Sequence, residues 1–313
     1  MSMASWLPVR VRVREWLQAR LERSGARLPP PHYLTVCAVI KDEGRYLLEW
    51  LAFHRAAGVD HFLLYDNDSS DETPAIVAAF ERAFPGSITL IAWPGQAQQW
   101  KVYEDAINRR LPKLSRWAAF IDGDEFLYGV SEDLKDIMRS FEAVSCLCVY
   151  WLVFGSSGHV EAPEGLCIEN FRRCASRTSK ANGRYKSIAK VSRLKGRAAV
   201  HLMPVWGRVV DEGWNDIDRK AGRSPKGLLT RVRINHYIVK SHAEWRVKQA
   251  RGLATARDGD DDRYRPDSFF AENDRNERQD KVALRFAPEV KAMMAIVAAA
   301  EAADAPTNGG FSG

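Results

Sequence analysis

From Tyr33 onward, apolar and polar positions follow a repeating block pattern. Short apolar runs, which predict strands, alternate with longer segments whose apolar residues recur every three or four positions, which predict helices. The predicted strands are 34–40, 61–65, 87–93 and 117–121, and the predicted helices are 43–57, 74–84 and 98–111. Strands that alternate with helices form βαβ units. We therefore predict an α/β fold with a Rossmann-like, mostly parallel sheet and helices on both faces.

Beyond residue 122 the alternation weakens. The pattern there predicts a helix at 132–141, a long apolar strand at 144–153, and further strands at 187–191, 198–205 and 232–239. Residues 243–305 are predicted to be mostly helical. The chain thus divides into a basic extension (1–32), a main domain (33–242), a C-terminal helical segment (243–305) and a disordered tail (306–313).

Composition and charge narrow the class of protein. With 313 residues, of which 46% are hydrophobic, the chain is able to bury a large core. Its formal net charge of +6 favours anionic partners such as nucleotides, phospholipid headgroups or nucleic acid. The five cysteines are an odd number without zinc-like spacing, so we expect buried, reduced thiols.

Targeting signals are weak. No stretch approaches the roughly 18 consecutive apolar residues of a membrane-spanning helix, and the first thirty residues lack the apolar core of a secretion signal. We expect a cytoplasmic location. The basic extension 1–32 is expected to be solvated, and the alternative is a peripheral contact with anionic lipid at the inner face of the membrane.

Three acidic clusters follow predicted strands. Lys41-Asp42-Glu43 follows the first strand, residues 66–71 follow the second, and residues 122–125 follow the fourth. Each cluster alone has a plain structural explanation, since Asp, Asn and Ser favour turns and helix caps. Together, however, they gather at one edge of a parallel sheet, where ligands bind. Carboxylates crowded there repel each other unless a cation or ligand neutralises them.

The third cluster carries the clearest chemistry. Asp122 and Asp124 are separated by Gly123 and follow the apolar strand 117–121. Glycine lets the backbone and a diphosphate approach closely. Carboxylate oxygens suit a hard divalent cation, so Mg²⁺ or Mn²⁺ is expected to bridge phosphate oxygens at this point.

Several sequence blocks resemble one enzyme family. They are residues 36–43, 46–54, 58–60, 65–73, 120–127, 151–159, 186–188, 201 and 235–241. Together they resemble the family-2-like and family-92-like glycosyltransferases of the GT-A fold, and residues 120–127 look like the DXD segment of that family. The likeness runs from about residue 36 to about residue 252. It implies a catalytic domain at 33–242, with a nucleotide-binding half (33–128) and an acceptor half (129–242).

The resemblance implies roles for individual residues. The residues implied for nucleotide-sugar binding are Lys41, Glu43, Asp66, Asp68, Asp122, Gly123 and Lys186. Asp124 becomes the principal metal ligand with a catalytic role, Asp122 touches the ribose or the metal, and His236 is a third metal or diphosphate ligand, with His201 as its rival. Lys186 is implied to hold the leaving diphosphate or an anionic acceptor, His159 to face the acceptor, and Asp71 to act as a structural cap. Asp42 and Val191 depart from the family pattern, which usually has Asn and Pro there.

The implied reaction is metal-dependent transfer of a sugar, with inversion, from a nucleotide-diphosphate sugar to an acceptor hydroxyl. A UDP-sugar is the expected donor, and a carbohydrate or glycoconjugate the expected acceptor, as in polysaccharide synthesis. Inversion requires a carboxylate as general base. Glu169, Glu161 and Asp216 are the candidates, and Glu169 is preferred for its place after residues 154–159.

Two other functions are weighed against this one. A sugar-phosphate nucleotidyltransferase needs a glycine-rich phosphate loop near the first strand, and Lys41-Asp42-Glu43-Gly44 is not such a loop. A nucleic-acid-binding protein would use residues 172–197, which contain ten Lys and Arg and no acid. It would leave the three acidic clusters without a purpose, so no nucleic-acid partner is expected.

Overall fold

The computed structural model describes residues 29–96, 98–218, 227–252 and 264–304. Of the predicted extension at 1–32, only residues 29–32 belong to this part, and the predicted tail at 306–313 lies outside it. The expectations for those two segments are therefore neither supported nor opposed by the structure.

Strands and helices alternate through the first 120 residues, as the block pattern predicts. The strands are β1 (His32–Ile40), β2 (His61–Asp66), β3 (Ile88–Ala92), β4 (Ser115–Phe120), β5 (Glu125–Gly129), β6 (Cys146–Val153), β7 (Arg173–Cys174), β8 (Tyr185–Lys190), β9 (Val209–Val210), β10 (Val232–His236) and β11 (Arg278–Gln279). The helices are α1 (Gly44–Ala56), α2 (Thr73–Ala83), α3 (Gln99–Asp105), α4 (Leu111–Leu114), α5 (Leu134–Ser140), α6 (Cys167–Asn170), α7 (His242–Arg251), α8 (Ser268–Asn273) and α9 (Ala287–Asp304). A π-helical turn, Ala106–Arg110, joins α3 to α4, so the single helix predicted at 98–111 is interrupted.

One large mixed sheet organises these elements. Its strand order is β3-β2-β1-β4-β8-β6-β10-β5, with β9 paired to β6, and β7 pairs with β11 in a separate small sheet. Strands β1 to β4 are parallel, so that Cys37 of β1 lies between Leu63 of β2 and Phe120 of β4. β8 runs antiparallel to both β4 and β6, and β5 antiparallel to β10. The sheet is mostly parallel, as expected.

The strand order creates a binding crevice. The chain moves outward from β1 to β2 and β3 and then returns to the other side of β1 as β4. Right-handed crossovers therefore place α1 and α2 on one face of the sheet and α3 on the other. The reversal lies between β1 and β4, and ligands bind at such a point beyond the carboxyl ends of the strands. Residues 41–43 and 122–124 follow these two strands.

α1 anchors the core on its side of the sheet. Trp50 and Phe53 are fully buried, and Phe53 packs edge-on against Phe126 of β5. His54 links the same helix to β5: its Nδ1 donates to the carbonyl of Trp50, and its Nε2 accepts from the amide of Leu127. Burial lowers the pKa of His54 to about 3, so this histidine is neutral and structural. α9 packs on α1 and α2.

The prediction of a strand at 198–205 is wrong. This segment contains only an isolated bridge between Leu194 and Val205. The Ser187 side chain takes over the hydrogen bonds that a neighbouring strand would make, since its hydroxyl donates to the carbonyl of His201 and accepts from the amide of Met203, each at 2.9 Å. The short strand β9 follows this segment instead.

Strand β5 was not predicted. It begins immediately after the 122–124 turn and pairs with β10, which ends at His236 rather than at residue 239. The apolar run Phe126-Leu127-Tyr128 is its only local signal. All five cysteines are buried and unpaired, as expected. Among the residues described, no helix has the length and apolar character to cross a bilayer.

Candidate active site

A cleft of about 1210 Å³ opens at the carboxyl ends of β1, β2 and β4. The described residues that line it come from these strand ends, from β6 and β10, and from the 180–184 turn. Others are Gly95, Gln96, Gln99, Val200 and residues within 248–252 and 265–275. Its charged lining side chains are Lys41, Lys180, Arg184, Lys248, Arg251, Arg265 and Arg275, against Glu43, Asp68, Asp122, Asp124 and Glu272. Seven cations face five carboxylates. The excess of positive charge suits an anionic ligand.

Asp122 belongs to a triad of charges at the end of β4. The ammonium group of Lys186 lies 2.7 Å from Asp122 Oδ2 and 3.5 Å from Glu125 Oε2. Lys186 is 1% exposed and is not among the described residues that line the cleft, so the predicted direct contact of its ammonium group with a diphosphate or acceptor has no support in this geometry. Burial alone would lower the pKa of Lys186, but the charges of Asp122 and Glu125 raise it above its usual value. Burial and repulsion from Asp122 and Asp124 raise the pKa of Glu125 well above its usual range.

Asp124 is held between a cation and an imidazole. Lys248 of α7 donates to Asp124 Oδ2, and His236 Nε2 lies 3.4 Å from Asp124 Oδ1. Burial alone would raise the pKa of Asp124, but Lys248 and His236 outweigh it and hold the pKa well below its usual value. Burial lowers the pKa of His236, which keeps its imidazole neutral and a nitrogen lone pair available. The Trp151 ring packs edge-on against it at 4.2 Å between centroids.

The end of β1 contributes the predicted residues Lys41 and Glu43, and both line the cleft. Arg251 of α7 donates to Glu43 Oε1 at 3.0 Å and also to the carbonyl of Lys41. Gly123 lies against Glu43, whose carboxyl carbon would be 3.2 Å from an added Cβ. Lys41, Glu43 and Gly123 therefore form one close-packed rim of the cleft at the switch point.

The second acidic cluster divides between the cleft and the scaffold. Asp68 lines the cleft with Asn67, and its Oδ2 accepts from the amide of Gly95. Asp66 is not among the described lining residues, and its Oδ1 accepts from the amide of Ser69. Asp71 acts as the expected cap, since its carboxylate accepts from the amides of Gly44 and Thr73 at the starts of α1 and α2.

The three carboxylates that the sequence suggested as the general base lie outside the cleft lining. Glu169 pairs with Lys291 of α9 at 2.6 Å, and Asp216 pairs with Arg208 at 2.7 Å near β9. Neither these two nor Glu161 is among the described residues that line the cleft.

The other two histidines considered from the sequence, His201 and His159, are also not among the described residues that line the cleft. His201 Nε2 bonds to Arg184 at 3.1 Å, and His159 Nε2 lies 3.3 Å from the carbonyl of Asn170. Of the histidines weighed from the sequence, His236 is the one that lines the cleft.

The basic run 172–197 does not form one surface. Lys180 and Arg184 line the cleft and Lys186 is buried beneath it. Lys190 lies at the far end of β8, where it binds the carbonyl of Glu142. This distribution does not resemble a continuous nucleic-acid groove.

Sequence reasoning missed the cations that residues 248–275 bring to the cleft. Lys248 and Arg251 lie in the last turn of α7, and Arg265 and Arg275 lie near α8. Basic residues late in a helix usually indicate a solvated end that complements the helix dipole. No local signal distinguishes them from residues that fold back onto strand ends more than a hundred positions earlier.

Comparison with known proteins identifies the family. A model of glycosyltransferase family 92 matches residues 32–201, which is more than half of the 313 residues. The chain belongs to glycosyltransferase family 92. A family 92 protein of Ricinus communis is 30% identical over 241 residues, covering 74% of this chain and 40% of that protein. One of Oryza sativa subsp. japonica is 27% identical over 137 residues, covering 42% of this chain and 23% of that protein.

This chain therefore spans well under half the length of these family 92 relatives. Among solved structures, that of Staphylococcus aureus TarS 1–349 in complex with UDP has a TM-score of 0.36 and 15% identity, covering 51% of this chain and 47% of that one.

Proposed function

We propose that this protein is a glycosyltransferase that uses a divalent cation to transfer a sugar from a nucleotide-diphosphate sugar, preferably a UDP-sugar, to an acceptor hydroxyl with inversion. The observation that carries the proposal is the convergence of Asp122, Asp124 and His236 on the wall of a cationic cleft at the sheet's switch point. Membership of family 92 supports the reaction class. The acceptor is a carbohydrate or glycoconjugate.

The residues present fit a divalent cation that also binds the substrate. Asp124 Oδ1 and the neutral His236 Nε2 are 3.4 Å apart, close to the roughly 3 Å that separates adjacent ligands of an octahedral Mg²⁺ with bonds of about 2.1 Å. Within the described residues no group of three or more His, Cys, Asp or Glu is able to enclose a metal. Diphosphate oxygens and water would complete the shell, as is usual for Mg²⁺.

When bound, the cation stabilises the negative charge that develops on the departing diphosphate. The chain's own cations would reinforce this effect, because Lys248 and Arg251 line the same cleft, where they pair with Asp124 and Glu43. Lys186 fixes the orientation of Asp122 from below. We expect Lys41 and Asn67, which line the cleft beyond β1 and β2, to bind the nucleoside.

A donor panel tests the proposal. Purified protein is mixed with UDP- and GDP-sugars, with and without Mn²⁺ or Mg²⁺, and thermal stability and nucleotide release are measured. A ligand that binds only the folded state raises its melting temperature. We expect a metal-dependent stabilisation by at least one UDP-sugar, and its loss in Asp124→Asn.

Asp136→Asn is the matched control, because Asp136 is an exposed aspartate of α5 paired with Arg139. It should behave as the wild type. A wild-type protein that neither binds nor turns over any nucleotide-sugar would refute the proposed function. Binding that is equal with and without metal would refute the role of Asp124 and His236.

A further inference from the structure

Inverting transfer needs a carboxylate that is free to accept the proton of the acceptor hydroxyl. Four of the five described carboxylates that line the cleft are already engaged. Glu43 pairs with Arg251, Asp122 with Lys186 and Asp124 with Lys248, and Asp68 accepts from the amide of Gly95. A carboxylate that pairs with a cation or accepts a backbone hydrogen bond is a weaker base, because both interactions stabilise its charged form.

Glu272 is the exception. It lines the cleft from α8, its side chain is exposed, and it makes no hydrogen bond or ion pair with any other residue of the described ranges. It lies outside both the matched family segment and the acidic clusters at the strand ends.

The neighbours of Glu272 suit a carbohydrate. Phe269, Glu272 and Asn273 are spaced at i, i+3 and i+4, so they share one face of α8, and all three line the cleft. Phe269 is stacked on the buried Trp245, with centroids 5.3 Å apart and an interplanar angle of 5°. The Arg265 guanidinium also lies over the phenyl ring, 5.3 Å from its centroid, so Phe269 is a packed support for this wall of the cleft. The carboxylate of Glu272 and the amide of Asn273 are therefore the groups able to bind the hydroxyls of a sugar ring.

A glycine turn fixes the end of α8. The amide of Gly155 donates to the carbonyl of Arg275 at 2.9 Å, and the amide of Ser156 donates to Asp274 Oδ1 at 2.6 Å. A Cβ on Gly155 would lie 2.6 Å from the backbone nitrogen and oxygen of Arg275. Only glycine allows this approach, so residues 154–158 hold α8 at the cleft.

We propose that Glu272 is the general base of the transfer and that its face of α8 binds the acceptor; the inference rests on the proposed function. The acceptor oxygen forms a bond to the anomeric carbon of the donor while its proton passes to Glu272. The bond from that carbon to the diphosphate oxygen breaks, and its electron pair leaves with the diphosphate. Because Glu272 is exposed, its proton then passes to solvent.

The test compares Glu272→Gln, Glu272→Ala, Glu169→Gln and Glu301→Gln with the donor that wild-type protein turns over, using water and monosaccharides as acceptors. Glu301 is an exposed glutamate of α9 outside the cleft lining. Glu272→Gln should lower kcat by about 100-fold or more while Mn²⁺-dependent nucleotide binding stays at the wild-type value. Formate should restore part of the activity of Glu272→Ala by accepting the proton, which a purely structural role would not allow.

A loss smaller than about tenfold in Glu272→Gln would overturn the inference, as would a loss in Glu169→Gln that exceeds it. Failure of formate to rescue Glu272→Ala would also count against a basic role. No turnover of any donor by the wild type would refute the proposed function and the inference with it, whereas the other outcomes leave the function standing.

Discussion

Replacing Lys186 with methionine removes one partner from a buried charge cluster. The residue is 1% exposed, and Glu125, 3.5 Å away, has a fully buried side chain. Loss of one partner of a buried ion pair costs about 3–5 kcal/mol, because the other charge is left without compensation. Asp122 is 37% exposed, so solvent screens its share. Glu125 is the buried partner, and because its pKa lies well above the usual range, it avoids part of the cost by taking up a proton. We therefore expect the lower end of that range, about 3 kcal/mol.

A chain of this size loses roughly 2 °C in melting temperature per kcal/mol, so Lys186→Met should melt about 6 °C below the wild type in differential scanning calorimetry. Lys190→Met is the matched control on the same strand. Its partner Glu142 keeps Arg116, so the expected loss is below about 1 kcal/mol. Adding Glu125→Gln to Lys186→Met should restore most of the stability, because it removes the uncompensated carboxylate. Equal melting of Lys186→Met and Lys190→Met would refute the reasoning.

Three other substitutions test the scaffold. Burial raises the pKa of Glu49 from 4.5 to about 7, so the folded state holds its proton more tightly than the unfolded state. Its stabilising effect, about 3 kcal/mol, should be complete below about pH 4.5 and vanish as pH rises through about 7, and urea denaturation of Glu49→Gln should lack this dependence. Gly155→Ala should displace Arg275 and lower transfer without abolishing nucleotide binding; unchanged transfer would contradict the close approach. Trp50→Phe removes the indole donor to the Glu125 carbonyl and should cost about 1–3 kcal/mol in urea denaturation, whereas a neutral effect would show that the bond contributes nothing.

Much of the nucleotide-binding half was predictable because its signals are local. The strands at 34–40, 61–65 and 117–121 and the helices between them follow from apolar periodicity. Acidic clusters at strand ends needed only the rule that parallel strands present their carboxyl ends at one edge. Asp122 and Asp124 both line the cleft.

The apolar pattern was less informative where a side chain, and not a neighbouring strand, makes hydrogen bonds with the backbone. Residues 198–205 have the apolar content of a strand, but Ser187 satisfies the backbone there. Conversely, Glu125–Gly129 is too short and too close to the acidic turn to be recognised, and it becomes a strand because β10 supplies its hydrogen bonds.

By itself, the sequence determined the alternating core and the acidic clusters that follow its strands, because each depends on residues within a few positions of one another. The strand order, and with it the switch point, was decided by the tertiary structure. Tertiary structure alone decided which charges neutralise those clusters. Lys248 reaches Asp124 across 124 positions and Arg251 reaches Glu43 across 208. Tertiary structure also decided that Glu272 lines the cleft without an ion-pair partner among the described residues. Such pairings depend on where the chain folds back on itself, and the charge of a residue carries no information about the distant group that it will meet.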